Sequence, residues 1–472
     1  MQNHGIGKAL ISDLGDGWQA FPDEETLMAA NERVKREAEI SNGALEYLVY
    51  INPQLDGRQK IFDRFITGSC GVKLWISLYS KEYGFERTLD VLRLAAQYDK
   101  AVLIHTFDRT DPIPEGTVGI SDVAALARAV PDCRIVAAHF GGNLLNTVSH
   151  AAELPENVCL DISGTFPERG MVKKLVEAFG SRRILYGSDA FGRSFGSQLS
   201  KVFDSGISKE DMENILYANS MRVFKLTDAG KKCSLQAPAW SIPERNADNF
   251  CFVGASPYWE HRASCEELVA SALANGVDTL YAADFTAVFA ADKTAANRKY
   301  LETSRSFPQI HPLAAADLGN MPETLRQLDE MEGFAGVFIS PYFHNYKIEY
   351  RRYARFFDLC AERNIPIWIN TAWGDHRFRD KRLNARCVQE CEITELASAL
   401  PPNRYVFQGV VPSASLSKIL PPYCRLECSR LSDSEYAPEE LFDNGNPQCL
   451  CFGSDFPFRA YGCVASVLEG RV

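Results

Sequence analysis

Short apolar runs alternate with amphipathic segments along the first half of the chain. The runs AVLIH, RIVAAH and RILYGSD are five to seven residues long and rich in aliphatic or β-branched residues. Runs of this length are typical of buried parallel strands. Between two of them, ISDVAALARAV places Val123, Leu126, Ala127 and Val130 on one helical face. The pattern predicts repeated strand–helix units that build a parallel sheet.

Capping-box spacing marks two predicted helix starts. Ser208 stands three residues before Asp211, and Ser264 stands three residues before Glu267. A helix is therefore predicted to begin after each serine.

Seven such strands are predicted in about the first 226 residues, which favours a (β/α)8 barrel over an open sheet. Residues 227–249 have no clear periodicity, so a linker is predicted there, and the strand–helix pattern then restarts. At 472 residues the chain has room for about two domains of barrel size. The predicted fold is therefore α/β, with two tandem TIM (β/α)8-like barrels over residues 1–226 and 250–472.

The spacing of matching segments indicates an internal repeat. From Gly71 to Asp189 is 118 residues, and from Gly336 to Asp455 is 119 residues. The tripeptide Gly-Ser-Asp ends both intervals. Such agreement is unlikely between unrelated segments, so the second half is predicted to repeat the layout of the first.

Three polar residues end the predicted strands of the first half: His105, His139 and Asp189. The carboxyl ends of parallel barrel strands lie on one face, where active residues project. A single strand-end histidine is more often a satisfied core or rim residue. Two histidines and an aspartate on three strands instead favour a metal or acid–base site, because imidazole and carboxylate suit zinc and similar ions.

Composition excludes several classes of partner. The net charge of −11, from 50 basic and 61 acidic residues, argues against a nucleic-acid or anionic-membrane partner. No apolar stretch reaches the roughly 18 residues of a membrane helix, and no signal peptide is recognised at the start. A cytoplasmic location is expected.

The cysteines are scattered through both halves, and several lie inside apolar runs, such as Cys159, Cys449 and Cys451. They are interpreted as buried, reduced thiols. The four-residue spacings within 387–391 and 424–428 do not fit a zinc site built from CxxC pairs.

Several ordered motifs resemble one known family. They are INP at 51–53, GVKLW at 71–75, VLIHT at 102–106, AAHFGGN at 137–143, NVCLDISG at 157–164, RILYGSDA at 183–190 and ILYANSMRVFKL at 215–226. Together they resemble the amidohydrolase-related branch of the amidohydrolase superfamily, whose members are metal-dependent (β/α)8 hydrolases and decarboxylases. The resemblance covers nearly all of residues 5–226, and it is weaker but collinear over 250–472.

The resemblance implies roles for the strand-end residues. In that family an HxH pair on the first strand, a histidine on the fifth and an aspartate on the eighth hold the metal, and a sixth-strand histidine assists catalysis. His105 and Asp189 match metal ligands, and His139 and Asp189 match catalytic positions. The HxH pair is absent, and the chain opens at what looks like the second strand. The first barrel is therefore expected to lack its first strand and to carry a partial metal site.

The implied cofactor is a divalent metal, with zinc favoured, although the missing HxH pair leaves its presence open. The missing ligands could come from Asp13, from a partner chain or from a start codon upstream of Met1. Lys73, Arg109 and Arg193 are candidate substrate-binding cations. A structural role for Lys73 and a surface position for each arginine are the alternatives.

The second half keeps one of the implied site residues. Gly254 and Ser256 stand at the HxH positions, Asn370 and Gly409 replace the two histidines, and Asp455 remains. One carboxylate cannot hold a catalytic metal, so the second barrel is predicted to be a degenerate copy. Nearby histidines are interpreted as surface or loop residues: His261, His344 and His376.

Two functions remain open from the sequence. The first is a metal-dependent hydrolase or decarboxylase acting on a small carbonyl or carboxylate compound through metal-activated water. The alternative is a catalytically inactive pseudoenzyme with a ligand-binding or structural role. The expected partner is a small molecule, together with internal barrel–barrel packing, and a homo-oligomer is left open. Because a seven-strand barrel exposes two parallel edges, another segment is predicted to cover them.

Overall fold

The computed structural model describes residues 1, 4–16, 21–76, 81–109, 117–164, 167–190, 192–227, 246–374, 379–433 and 436–469. The chain forms two compact units. The first comprises residues 1–165, 170–189 and 205–236, and the second comprises 166–169, 190–204 and 237–472. This division is discontinuous, whereas contiguous halves were predicted. Most of the predicted linker, 228–245, lies outside the described residues.

A seven-stranded parallel sheet forms the first unit, with its strands in chain order. The strands are β1 Ala9–Ile11, β2 Leu45–Tyr50, β3 Gly71–Leu74, β4 Ala101–Ile104, β5 Ile135–Ala137, β6 Val158–Asp161 and β7 Ile184–Leu185. The parallel α/β arrangement predicted from the apolar runs is confirmed.

Helices follow most of these strands, as the alternating pattern predicts. Those within or just after the first-unit segments are α1 Glu24–Ile40, α2 Arg58–Phe65, α3 Lys81–Gln97, α4 Ile120–Ala129, α5 Leu144–Ser149, α6 Met171–Phe179, α7 Phe195–Phe203, α8 Lys209–Glu213 and α9 Asn219–Phe224. The predicted capping box at the start of α8 is present: Ser208 accepts from the Asp211 backbone N–H, and the Asp211 carboxylate accepts from that of Ser208.

The edge strand β7 is covered by the segment that contains α8 and α9. The Asn219 side chain donates to the backbone oxygens of Ser181 (2.8 Å) and Ile184 (2.6 Å). The Tyr186 N–H donates to the Ile215 carbonyl at 2.8 Å. Backbone groups at this edge are therefore paired within the first unit, as a buried sheet edge requires.

The second unit has a nine-stranded sheet in the order β16-β15-β14-β13-β12-β11-β10-β8-β9. The strands are β8 Ala247–Ala255, β9 Arg262–Ala263, β10 Thr279–Asp284, β11 Ile310–Ala316, β12 Gly336–Ile339, β13 Ile367–Asn370, β14 Tyr405–Gln408, β15 Cys424–Glu427 and β16 Leu450–Cys451. All pairings are parallel except the short antiparallel pairing of β9 with β8.

Hydrogen bonds beyond β16 connect the two ends of this sheet. The Asn249 N–H donates to the Phe452 carbonyl at 2.8 Å, and the Phe252 N–H donates to the Phe456 carbonyl at 2.7 Å. The segment after β16 thus pairs with β8, and the sheet curls back on itself. Such closure removes exposed parallel edges.

The helices of the second unit alternate with its strands. They are α10 Cys265–Ala274, α11 Phe285–Phe289, α12 Lys293–Ser304, α13 Met321–Gln327, α14 Tyr350–Glu362, α15 Glu390–Ala399, α16 Ala414–Ile419, α17 Ala437–Asn444 and α18 Gly462–Glu469. The predicted capping box at Ser264 and Glu267 begins α10.

Helix α7 belongs to the second unit because it packs on α18. Cys463 Sγ donates to the Ser197 carbonyl at 3.2 Å, and Ser200 Oγ donates to Ser466 Oγ at 3.2 Å. The Asp204 carboxylate, just after α7, accepts from the Gly462 N–H at 2.7 Å. The periodicity of α7 predicts a helix but not the sheet or helix on which it packs, so the sequence did not separate α7 from the first half.

The sheets of the two units have equivalent registers at the predicted site strands. Ile104 pairs with Ala137 in the first unit, and Ile369 pairs with Phe407 in the second. His139 stands two residues beyond the last paired residue of its strand, Ala137, and Gly409 directly follows the last paired residue of its own, Gln408. The internal repeat stays a prediction.

The thiols agree with the sequence analysis. The described cysteines are free, and Cys159, Cys449 and Cys451 are buried. Within the described part of the chain, no helix is both long enough and apolar enough to cross a membrane.

Candidate active site

His105 lies one residue beyond β4, at the carboxyl edge of the first sheet. Its N–H donates to the Leu74 carbonyl at 2.8 Å, which extends the pairing with β3. The imidazole lies between two aromatic rings, with ring centroids 5.5 Å from Trp75 and 6.4 Å from Phe107. The strand and its aromatic neighbours fix the direction of this ring.

His139 is placed by a tight left-handed turn. β5 ends at Ala137, and the backbone then adopts φ of 57° at His139 and 42° at Phe140. The His139 N–H donates to Asp161 Oδ1 at 3.1 Å, and the Gly142 N–H donates to the His139 carbonyl at 2.6 Å. Strand alternation cannot predict this geometry, because the strand has already ended.

The His139 ring is held from both sides. Nδ1 lies 3.0 Å from the Ser163 carbonyl, and Nε2 lies 3.1 Å from Nδ1 of His105. A carbonyl only accepts, so Nδ1 of a neutral His139 carries the proton and Nε2 accepts from His105 Nδ1. Burial lowers the pKa of His139, partly opposed by the negative charges of Asp189 and Asp161, which keeps the ring neutral near pH 7.

Two carboxylates flank the imidazole pair. Asp161, at the end of β6, accepts from the Ser163 N–H at 2.8 Å and from the Ser163 hydroxyl at 2.5 Å. Asp189 is exposed and stands in a left-handed backbone conformation, with φ of 57°. Gly164 leaves space for both the His139 ring and the Asp189 carboxylate. A Cβ at Gly164 would collide with the His139 ring and lie 2.8 Å from Asp189 Oδ2.

Lys73 lies inside the sheet beneath these groups. It pairs with Tyr50 and Leu103, and its residue is 9% exposed. Burial lowers the pKa of the Lys73 ammonium, whereas the charges of Asp161 and Asp189 raise it.

The described residues do not form a metal site. No group of three or more His, Cys, Asp or Glu side chains has a metal-holding arrangement in this part of the chain. The predicted ligands His105 and Asp189 lie in the same cluster, but a catalytic zinc takes three protein ligands, and only these two of the implied ligands are among the described residues.

The structure brings four predicted site residues into one cluster: Lys73, His105, His139 and Asp189. Arg193 instead belongs to the second unit, where its guanidinium donates to the Asp433 carbonyl at 3.1 Å. Arg109 directly precedes residues 110–116, which lie outside the described part. Substrate-binding roles for both arginines stay predictions.

Sequence reasoning missed three members of the cluster: Asp161, Ser163 and Gly164. Asp161 carried the same signal as the residues that were found, because it ends the apolar run VCLD. Ser163 and Gly164 carry no such signal, since their roles depend on where the His139 ring lies.

In the second unit, the residues at the ends of β12, β13 and β14 are linked by hydrogen bonds between hydroxyl and amide side chains. Ser340 Oγ donates to Asn370 Oδ1 at 2.7 Å, and the Asn370 amide also bonds to Gln408. Asp455 lies 3.5 Å from Gln408 Nε2 and 3.5 Å from Arg459 Nε. Asp455 is thus engaged by an amide and an arginine rather than by imidazoles.

Aromatic rings fill the space around these residues. Trp373 lies 3.9 Å from Trp259 and 4.3 Å from Phe458, measured between ring centroids. Two of the nearby histidines lie in loops and are mostly buried rather than on the surface. His261 pairs with Glu168 at 3.1 Å and His344 bonds to the Val288 carbonyl at 2.9 Å, whereas His376 lies outside the described residues.

Residues 71–226, which contain the whole cluster, match the amidohydrolase family model. This segment of the chain is similar to that family. The match ends before the second unit's sheet, so the degenerate second copy stays a prediction. No curated protein sequence matches this chain.

Solved structures similar to this chain include several decarboxylases. A 2,6-dihydroxybenzoate decarboxylase from Rhizobium is 17% identical, with a TM-score of 0.39 over 48% of this chain and 86% of that one. The 5-carboxyvanillate decarboxylase from Sphingomonas paucimobilis is 16% identical, with a TM-score of 0.36 over 47% and 80%. A dihydroxybenzoic acid decarboxylase from Polaromonas, with bound manganese and 2-nitroresorcinol, is 16% identical, with a TM-score of 0.34 over 43% and 75%.

Proposed function

We propose that this chain is a member of the amidohydrolase superfamily and that its first unit is an enzyme that hydrolyses or decarboxylates a small carbonyl or carboxylate compound. Within this proposal both units are (β/α)8-type barrels, the first short of one strand. The observation that carries the proposal is the His105–His139 imidazole pair, aligned at 3.1 Å beside the exposed carboxylate of Asp189. A purely structural core needs no such pair beside an exposed carboxylate.

The proposed role of the imidazole pair is proton transfer. The Ser163 carbonyl fixes the proton of His139 on Nδ1, so Nε2 is its basic atom. His105 donates to that atom through Nδ1, which leaves His105 Nε2 as the basic atom of the pair. A proton that reaches His105 Nε2 can therefore pass from His105 Nδ1 to His139 Nε2, and His139 is the proposed catalytic histidine.

Asp189 is the second proposed catalytic residue. Its side chain is exposed, unlike that of Asp161, whose oxygen is engaged by Ser163 and by the His139 N–H. Asp189 can therefore accept a proton from an attacking water or from the substrate. His105 and Asp189 supply two of the four ligands that the family resemblance implies, so no step of this proposal is assigned to a metal.

The experiment is a turnover screen on the full chain. The substrates begin with those named for the similar structures, 2,6-dihydroxybenzoate and 5-carboxyvanillate, and add aryl esters and lactones. Each is incubated with chelator, with Mn²⁺ or with Zn²⁺, and products are followed by mass spectrometry. Asp189→Asn is expected to lower turnover at least about 100-fold, the scale of a lost acid–base group.

Asp132→Asn is the matched control, because Asp132 is exposed on a loop of the same unit and is expected to leave turnover unchanged. Folded protein that converts no compound under any of the three conditions would oppose the proposal. Equal turnover by Asp189→Asn and the wild-type chain would oppose the assigned site.

A further inference from the structure

One carboxylate oxygen connects the turn that carries His139 with the end of β6. Asp161 Oδ1 accepts from the His139 N–H at 3.1 Å, from the Ser163 N–H at 2.8 Å and from the Ser163 hydroxyl at 2.5 Å. All three residues are buried. Solvent therefore competes little for these bonds, and a bond to a charged acceptor is stronger than a neutral one.

The Ser163 hydroxyl also contacts the imidazole. Its Oγ lies 3.0 Å from His139 Nδ1, and the Ser163 carbonyl oxygen lies at the same distance of 3.0 Å. A hydroxyl has one hydrogen, and the 2.5 Å bond to Asp161 uses it. Oγ can therefore only accept from the imidazole, so two oxygens of one residue receive the Nδ1 proton of His139.

These bonds form one directed chain across the site. Asp161 orients the Ser163 hydroxyl, and both oxygens of Ser163 face His139 Nδ1. His139 Nε2 in turn accepts from His105 Nδ1 at 3.1 Å. The opposite tautomer of His139 would set the Nδ1 lone pair against the carbonyl oxygen, which cannot donate. Each imidazole nitrogen of His139 thus has one role.

Two glycines leave the room that this chain of bonds needs. A Cβ at Gly187 would lie 2.9 Å from Ser163 Cβ and 3.2 Å from Asp161 Cγ. A Cβ at Gly164 would collide with the His139 ring. Gly187 opens the Gly-Ser-Asp tripeptide of the first half, so this glycine serves the placement of Asp161 and Ser163.

The second unit contains a similar turn that can serve as an internal comparison. Glu427 ends β15 and accepts from the Ser429 N–H at 2.5 Å and from the Ser429 hydroxyl at 2.8 Å. No described histidine shares a hydrogen bond with Ser429, whereas Ser163 Oγ lies 3.0 Å from His139 Nδ1. The carboxylate–serine turn is therefore a local feature of both strand ends, and only the first has the contact with an imidazole.

We propose that Asp161 and the Ser163 hydroxyl are positioning residues of the candidate site, which keep the proton of His139 on Nδ1 and aim its Nε2 lone pair at His105. The hydrogen bond at one imidazole nitrogen decides which nitrogen is basic. The inference rests on the proposed function for the catalytic role of His139. It concerns the state of one imidazole, however, which can be observed without a substrate.

The test is NMR spectroscopy of the full chain, labelled with ¹⁵N in its histidine residues, at one pH. His139→Gly identifies the His139 signals by their loss. The wild type is expected to show a protonated Nδ1 and a bare Nε2 at His139. In Ser163→Ala, the Nδ1 proton should exchange with water at least about fivefold faster, the factor that one lost hydrogen bond gives. The backbone N–H of His105, which bonds to the Leu74 carbonyl, should keep its exchange rate.

Ser429→Ala is the matched control, because it removes a hydroxyl that donates to a strand-end carboxylate in the second unit. It should leave the His139 signals unchanged. Asp161→Ala should accelerate the exchange at least as much as Ser163→Ala, and Asp161→Asn less, because its amide oxygen still accepts. If Asp161→Ala does not fold, Ser163→Ala decides the test, since it keeps the backbone bonds of the turn.

A folded Ser163→Ala chain with the exchange rate of the wild type overturns the inference, and so does a wild-type His139 with its proton on Nε2. Equal acceleration in Ser163→Ala and Ser429→Ala overturns it as well, because the cause would then be a general loss of stability. Turnover that depends on Asp189, with unaltered His139 signals in Ser163→Ala, would keep the proposed function and remove the inference. A Ser163-dependent His139 signal in a chain without turnover would do the reverse.

Discussion

His139 and Gly409 occupy corresponding strand ends in the two units and share a left-handed backbone, with φ of 57° and 87°. At Gly409 a Cβ would collide with the carbonyl oxygen of Ala372. A histidine at position 409 would therefore require the backbone to move. In the first unit, His139 keeps its imidazole although a left-handed backbone disfavours any side chain. Such backbone strain is typical of functional positions.

The backbone at His139 predicts an order of stability for two variants that both delete the imidazole. His139→Gly should be more stable than His139→Ala by about 1 kcal/mol, because only glycine adopts positive φ freely. Chemical denaturation measures the difference. Lys225 has φ of 53° at the end of α9, so Lys225→Gly and Lys225→Ala should differ in the same direction. Equal stabilities for the His139 pair would contradict the turn.

The space around Gly164 leads to a prediction about the stability of two alanine variants. Alanine at Gly164 and at Gly170 meets a similar backbone penalty, since φ is 68° and 78°, but only the Cβ at Gly164 has close neighbours, including the His139 ring. Gly164→Ala should therefore cost about 1–3 kcal/mol more than Gly170→Ala, the scale of an overpacked core. Thermal unfolding measures the difference, and indistinguishable variants would contradict the packing at His139.

Asp248 predicts a dependence of stability on pH. Burial raises the pKa of its carboxyl to about 6, although Ser454, Phe250 and Tyr461 donate to it. The folded pKa lies above the unfolded value, so this contribution is full below about pH 4 and is lost as pH rises through 6, a change of about 3 kcal/mol.

Denaturation of the wild type between pH 4 and 7 should show this loss, and Asp248→Asn should reduce it. Part of the slope should remain, because burial also raises the pKa of Asp455 to about 6. Asp278→Asn, at an exposed site, should leave the slope unchanged. A slope that is equal in Asp248→Asn and the wild type would refute the assignment.

Replacement of the buried Arg459 is predicted to lower the stability of the protein strongly. Its fully buried guanidinium donates to Asp433 and to Ser432, each at 2.7 Å, and the arginine charges hold the pKa of Asp433 down to about 2. Arg459→Met should cost about 3–5 kcal/mol, because it leaves part of a buried charge uncompensated. The matched control is Arg298→Met, whose exposed pair with Glu330 should be worth about 0–1 kcal/mol. Urea denaturation that gives similar losses would contradict the buried network.

The hydrophobic periodicity of the sequence was enough to predict the strands and helices and the polar residues that end the strands. The runs before His105, His139 and Asp189 became β4, β5 and β7, because aliphatic residues buried on both faces have few other places in an α/β fold. Capping boxes at Ser208 and Ser264 were found because capping acts between residues three apart in the chain.

The sequence by itself determined which side chains stand at the carboxyl edge of the first sheet, since strand ends and their polar residues are local features. The tertiary structure alone decided how those side chains meet. The left-handed turn at His139, the space at Gly164 and the burial of Lys73 beneath Asp161 and Asp189 depend on residues distant in the chain. The assignment of α7 to the second unit depends likewise on its contacts with α18, because packing energy comes from contacts that no local pattern contains.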